Sequence, residues 1–319
     1  VRITDYDDQL DDQDSIPWQH KVHKIGRRRR RSKQFAEDII DPRDLPAGAF
    51  RPTYTGSRHE LHWILTYLSP FYEEGQILDV LRQVKGGKEA TVYCCRAHPA
   101  LGVDLLAAKL YRPRMFRNLR NDAQYRQGRA ILDDRGRAVH DPRRLHAIQR
   151  GTSLGKELVH TSWLTHEFQS LRLLHEAGAD VPRPVSVSQN VILLEYLGNE
   201  KRSAPTLNHV TLEPEEAGGL FDRLLHNVDL MLARGRVHGD LSAYNVLYWE
   251  GRVTIIDFPQ AFDPVHNPDA YALFARDVER LCQYFARFGI EVDARRLARD
   301  IWTRYLPAPG EEGLETSSS

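Results

Sequence analysis

Apolar positions along the chain recur first at helical spacing, then in strand-like runs, then at helical spacing again. From residue 58, RHELHWILTYLSPFY places Leu61, Ile64, Leu65 and Leu68 on one helical face, so order is expected to begin near Ser57. ILDVLRQVKGGKEATVYCCRA follows as two β-rich runs joined by a Gly-Gly turn, the pattern of a hairpin over a ligand. VDLLAAKLY (103–111) predicts the next strand. Residues 112–156 are rich in Arg, Asp and Gly with little apolar content, and predict a mobile insertion. HTSWLTHEFQSLRLLHEAG (160–178) carries Leu164, Phe168, Leu171 and Leu174 at helical spacing, with Gly178 as its stop. PRPVSVSQNVILLEYLG (182–198) predicts two strands that close a small sheet.

Beyond residue 198 the pattern turns helical. A helix is expected over 212–235, then the short strands VLYWE and VTIIDF, a helix at ARDVERLCQYFARFG, and a last helix near 293–305. A β-rich first half before a helix-rich second half predicts an α+β, bilobal architecture with its hinge between Glu195 and Asn199. Four segments are expected: a flexible charged tail (1–56), a β-rich lobe (57–198), a helical lobe (199–309) and a frayed end (310–319).

Bulk composition narrows this little. A chain of 319 residues can bury a large core, in one domain or two lobes. No apolar run approaches the roughly 18 residues of a membrane helix, and the first residues lack the basic-then-apolar order of a secretory signal. Cys94 and Cys95 are adjacent and Cys282 is distant, which suits neither a disulfide framework nor a metal site. A reduced, cytoplasmic protein without a membrane partner is expected. The 44 basic residues balance 44 acidic ones, so no global field draws nucleic acid. The unbroken run Arg27 to Arg31 reads either as a solvated tail or as a contact to an RNA or DNA backbone. Trp63, Trp163 and Trp249 read as core or lobe-interface aromatics, and the fourteen histidines show no ligand spacing.

The chemistry concentrates in HGDLSAYNVLYW and GRVTIIDF. A polar cluster precedes one strand, and a second strand, joined by a tight turn at EGR, delivers Asp257. Pairing of the two strands would bring Asp257 close to Asn245, with Asp240 further back on the loop. Two carboxylates and an amide at a strand end suit a hard divalent cation and an oriented hydroxyl. The competing reading is a polar turn before a hairpin. The spacing His-x-Asp-x-x-x-x-Asn with an Asp twelve residues later favours phosphoryl transfer. His238 reads as a brace for the loop rather than a proton shuttle.

Such a site needs a strand lysine with a carboxylate partner. Lys109 stands in LLAAKLY between apolar neighbours, either at a sheet edge or as a cation buried for a phosphate. Glu167, midway along its helix, is the expected partner, while Glu157 and Glu176 lie near the ends. Gly86, Gly87 and Lys88 form a turn upstream of Lys109 whose glycines allow close backbone approach to phosphates. Taken alone, that turn is equally a plain hairpin.

Together these stretches resemble the RIO atypical serine/threonine protein kinases. GKEATVY (87–93), AAKLY (107–111), HGDLSAYN (238–245) and Ile256 to Gln260 carry the resemblance, which runs from about residue 58 to 290 and extends to NPDAYALFARDVERLCQYF. The stretch before the glycine turn is similar to the Rio1-like branch, and Phe258-Pro-Gln to the Rio2 branch. The resemblance implies a minimal bilobal kinase fold without an activation loop, using ATP with Mg²⁺ or Mn²⁺. It implies Asp240 as the catalytic aspartate, Asn245 and Asp257 as metal ligands, and Lys109, fixed by Glu167, on the α- and β-phosphates. Gly86, Gly87 and Lys88 would cover the triphosphate, and Glu195 and Leu197 would present hinge hydrogen bonds to adenine. Asp257 could also accept the phosphoryl group in an ATPase-like cycle. The family points to a ribosome-associated partner, with Arg27 to Arg31 touching RNA. A small-molecule phosphotransferase resembling the aminoglycoside and choline kinases is the alternative, and a non-catalytic scaffold would not need all four of Lys109, Asp240, Asn245 and Asp257.

Overall fold

A computed structural model describes residues 2–3, 48–87, 89–111 and 130–308. Lys88, the Arg27–Arg31 run, residues 112–129 and the end of the chain from 309 lie outside the described residues. Elements are numbered in chain order. β1 (Arg2–Ile3) pairs antiparallel with β7 (Val210–Thr211). α1 (Arg58–Glu73) begins where its sequence says it should: Ser57 accepts from the Glu60 N–H and the Glu60 carboxylate accepts from the Ser57 N–H. That capping box satisfies two end groups of the helix, and losing such a cap costs about 1 kcal/mol. The helix buries Leu61, Ile64, Leu65, Leu68 and Phe71.

Those side chains cover one face of a five-stranded antiparallel sheet. Its strands are β2 (Ile77–Gly86), β3 (Ala90–Ala97), β4 (Leu105–Tyr111), β5 (Pro184–Ser188) and β6 (Val191–Glu195), in spatial order β2-β3-β4-β6-β5. Register decides what each face shows. Tyr93, Ala108 and Leu193 lie in one cross-strand row and pack in the core under α1. The adjacent row, Val92, Lys109 and Ile192, therefore points the opposite way, toward the cleft.

Two helices follow β4. α2 (Pro142–Gln149) and α3 (Ser153–Glu176) pack closely at Gly155, where an added Cβ would stand 2.0 Å from the Ala147 carbonyl oxygen. The described part of the expected 112–156 insertion, residues 130–156, is thus structured: Leu132 bridges to Ala138, and α3 starts at Ser153, seven residues before the expected segment at 160. The first turns of α3 pack through a glycine rather than an apolar stripe, so periodicity could not reveal them. The expected tail also contains folded chain. Phe50 is buried and stacks on Tyr72, Thr53 donates twice to Asp79, and the Tyr54 N–H donates to the Val80 carbonyl. A single aromatic has no period, and this one was invisible for that reason.

The second half is built from α4 (Pro214–Ala233), the hairpin β8 (Val246–Trp249) and β9 (Arg252–Ile255), α5 (Ala270–Ala286) and α6 (Ala294–Trp302). Buried apolar residues form two large cores, one beneath the sheet and one among these helices. α3 joins them. Trp163 and Leu164 pack with Tyr111 and Ile192 of the sheet, while Leu171 and Leu174 belong to the helical core. Among the described residues no helix is long and apolar enough to cross a membrane.

Candidate active site

The hairpin β8–β9 turns at Glu250 and Gly251, whose φ angles of 50° and 77° suit the tight turn that right-twisted strands prefer. Pairing continues one step beyond the strands, where the Ile256 N–H donates to the Asn245 carbonyl at 2.9 Å. Asp257 follows at once, so the spacing expectation holds: Asn245 and Asp257 leave the same end of one hairpin. Asp257 itself has φ +70°, a left-handed conformation that L side chains seldom adopt.

Opposite it stands Lys109. Its Nζ donates to Glu167 Oε1 at 2.8 Å and to Asp257 Oδ1 at 2.6 Å. Burial alone would lower the Lys109 pKa, but the two carboxylates prevail and hold it well above the ordinary lysine value. Enclosure likewise pushes Asp257 up, and Lys109, His238 and Lys85 pull it below the usual carboxylate range. Both groups are charged at neutral pH. Glu167, predicted from its place on α3, is buried, and its second oxygen accepts from the Tyr111 hydroxyl. Tyr111 was missed by the sequence reading. It stands two residues after Lys109, hence on the same face of β4.

The loop bearing Asp240 is held from inside. His238 is buried against Phe258, its Nε2–H donates to the Ile256 carbonyl at 3.0 Å, and Nδ1 accepts from the Asp240 N–H. Those two bonds require the neutral ring, and burial lowers its pKa accordingly. From α5, Asp277 accepts the N–H groups of Gly239 (2.7 Å) and Leu241 (3.0 Å), and Arg276 donates to the Gly239 carbonyl. Burial pushes the Asp277 carboxyl up to about 7, against the pull of those amides. A carboxylate at a core position of an amphipathic helix, between Phe274 and Val278, is the sequence signal for this anchor. Arg280 of the same helix donates to Asp240 Oδ1 at 2.7 Å.

Asn245 Nδ2 donates to the Asp240 carbonyl at 2.9 Å, which aims its amide oxygen away from the loop. An amide oxygen beside an ionised carboxylate is a hard donor set that fits Mg²⁺ or Mn²⁺. Gly86 and Gly87 lie at the expected turn, closed by the Gly87 N–H on the Ala90 carbonyl at 2.9 Å. At the hinge, Glu195 exchanges bonds with Arg183, and the Leu197 carbonyl accepts from the Ala204 N–H at 2.9 Å. Arg82 ties that segment to β2 through Tyr196 and the Glu200 carbonyl.

The family model described as RIO domain matches residues 123–297, more than half of the chain. The chain belongs to the RIO family. Among its RIO relatives, the RIO-type serine/threonine-protein kinase Rio1 of Haloferax volcanii is 32% identical over 238 residues, covering 72% of this chain and 69% of that protein. The serine/threonine-protein kinase RIO1 of Chaetomium thermophilum is 29% identical over 255 residues, 75% of this chain but 45% of its own length. The crystal structure of the Rio2 kinase from Chaetomium thermophilum aligns with 86% of this chain and 77% of its own at a TM-score of 0.49 and 19% identity. Membership of the RIO family implies use of ATP.

Proposed function

We propose that this RIO protein transfers the γ-phosphoryl group of ATP to serine or threonine hydroxyls of a protein, its own chain included. The observation that carries the reading is the Lys109 ammonium held between Glu167 and Asp257. Lys109 binds the α- and β-phosphates, and Glu167 with Tyr111 keeps its ammonium in place. Asp240 orients the acceptor hydroxyl and takes its proton. Asn245 and Asp257 hold Mg²⁺ or Mn²⁺, which when bound neutralises charge on the phosphates. Gly86, Gly87 and Lys88 cover the triphosphate, and the hinge at Glu195 and Leu197 meets the adenine edge. Family membership disfavours the small-molecule phosphotransferase alternative.

A second reading is favoured by Asp257 itself. Its carboxylate is ionised and 44% exposed, so it is open to attack on the γ-phosphorus as an aspartyl-phosphate acceptor, with ADP leaving. A ribosome-associated partner and an RNA contact through Arg27 to Arg31 belong to the same proposal, as does a cytoplasmic location, which three unpaired cysteines support.

Radiolabelled ATP supplied to the wild type and to Asp240→Ala tests both. Label that is stable to acid and absent from Asp240→Ala supports hydroxyl phosphorylation; hydroxylamine-labile label supports the aspartyl-phosphate. Wild-type protein that neither binds nor turns over ATP with Mg²⁺ or Mn²⁺ overturns both readings.

A further inference from the structure

Asp240 needs a fixed orientation, yet its own loop supplies no cation to fix it. Between Asp240 and Asn245 stand only Leu241, Ser242, Ala243 and Tyr244. The positive charge comes from α5, where Arg280 Nη1 donates to Asp240 Oδ1 at 2.7 Å. The two side chains are 37% and 41% exposed. An ion pair with that access to water contributes about 0–1 kcal/mol to folding, so its consequence lies in geometry.

Arg280 stands one turn beyond Arg276 and Asp277, which grip the Gly239 carbonyl and the Gly239 and Leu241 N–H groups. Residues three and four apart share a helix face. One stripe of α5 therefore fixes both the backbone of the loop and the carboxylate it displays. The other carboxylate oxygen is loosely held: Asn245 Nδ2 reaches Asp240 Oδ2 only at 3.4 Å.

We propose that Arg280 is a positioning residue for phosphoryl transfer, clamping Asp240 through Oδ1 so that Oδ2 faces the acceptor hydroxyl. The inference rests on the proposed kinase reading. In the step it serves, the acceptor oxygen bonds to the γ-phosphorus as the bond to the β–γ bridging oxygen breaks. ADP departs with that oxygen, and the hydroxyl proton passes to Oδ2. The one charge-assisted bond from this helix-borne side chain favours a single rotamer of the carboxylate, and a lysine ammonium can supply the same bond. Among the described residues Arg280 hydrogen-bonds Asp240 and none of the groups assigned to the nucleotide, so its contribution belongs to kcat rather than to ATP binding.

The test measures kcat and KM for ATP on the full chain for wild type, R280M and R280K, each alone and combined with D240N. R280M is expected to lower kcat about tenfold with KM for ATP unchanged within about twofold, and R280K to recover to within about threefold of wild type. In the D240N background, adding R280M leaves the residual rate unchanged, because no ionised carboxylate remains to be clamped. A kcat for R280M within twofold of wild type overturns the inference, as does an equal loss in the D240N background. If R280M fails to fold, R280K decides: it must turn over ATP near the wild-type rate, and a loss as deep as that of D240N overturns the clamp. Failure of the kinase reading looks different, since wild type itself then shows no turnover.

Discussion

Lys109 and Asp257, 148 residues apart in sequence, meet at 2.6 Å across the cleft between the sheet and the helical core. The same ammonium reaches Glu167, whose side chain is 1% exposed. These two carboxylates share a cation but not an environment, and variants should separate them.

Lys109→Met takes the cation away from the buried Glu167 carboxyl, which keeps the bond from the Tyr111 hydroxyl, and is expected to cost about 3–5 kcal/mol. Asp257→Asn removes a half-exposed partner from a backbone conformation that asparagine tolerates, so its stability cost stays within about 1 kcal/mol. Both variants abolish phosphoryl transfer. Urea denaturation beside an ATP turnover assay reads the contrast; equal stability losses would show that Glu167 is not dependent on the lysine.

Tyr111→Phe deletes one hydrogen bond to a buried carboxylate without opening a cavity. A hydrogen bond to a charged group is worth about 1.5–3 kcal/mol, and a loss in that range is expected in chemical denaturation. Because Glu167 then holds Lys109 with less restraint, the KM for ATP rises while the metal dependence of turnover is unaltered.

Asp277 gives a pH dependence of definite sign. Its folded pKa of about 7 exceeds the ordinary aspartate value of about 4, so between those limits the folded chain keeps a proton that the unfolded chain releases. Stability therefore falls as pH rises from about 4 to 7 through this group, and levels off above. His238 acts in the opposite direction: its lowered pKa keeps the folded ring neutral while the unfolded one protonates below about 6.5. Asp277→Asn removes the falling component and leaves the rising one. Unfolding free energies from pH 5 to pH 8 for both proteins check this, with a lower overall stability for the variant, since its amide offers a donor where a backbone N–H needs an acceptor.

Gly198 has φ +128°, and a Cβ there would stand 2.4 Å from the Arg202 carbonyl oxygen. Gly198→Ala must displace the turn that closes on the Leu197 carbonyl, and with it the hinge. Thermal unfolding at a lower temperature together with weakened binding of ATP, but not of free Mg²⁺, is the expected result. An unchanged nucleotide affinity would separate the turn from the hinge.

What could be read in advance followed from spacing. Asn245 and Asp257 lie at fixed offsets around a two-residue turn, and Lys109 and Glu167 sit on regular elements whose faces the apolar residues mark. The helices and strands of the core were legible for the same reason. Phe50 and the α2–α3 contact at Gly155 were not, because each depends on one residue meeting a distant one, and the sequence marks Asp277 as a buried carboxylate without naming the loop it grips. Tyr111 was within reach, two positions from Lys109 on one strand, but a tyrosine in a β-run looks like core until its hydroxyl partner is known.

Asp257 occupies a backbone conformation in which glycine is at ease and an L side chain costs about 1 kcal/mol or more. At this position the residue that folds most comfortably has no carboxylate. Asp257→Gly would relieve that strain and at the same time delete the carboxylate that pairs with Lys109, so backbone comfort and reaction pull on this position in opposite directions. Any programme to harden this protein must therefore score turnover and melting together, or it will select against the reaction at the centre of the site.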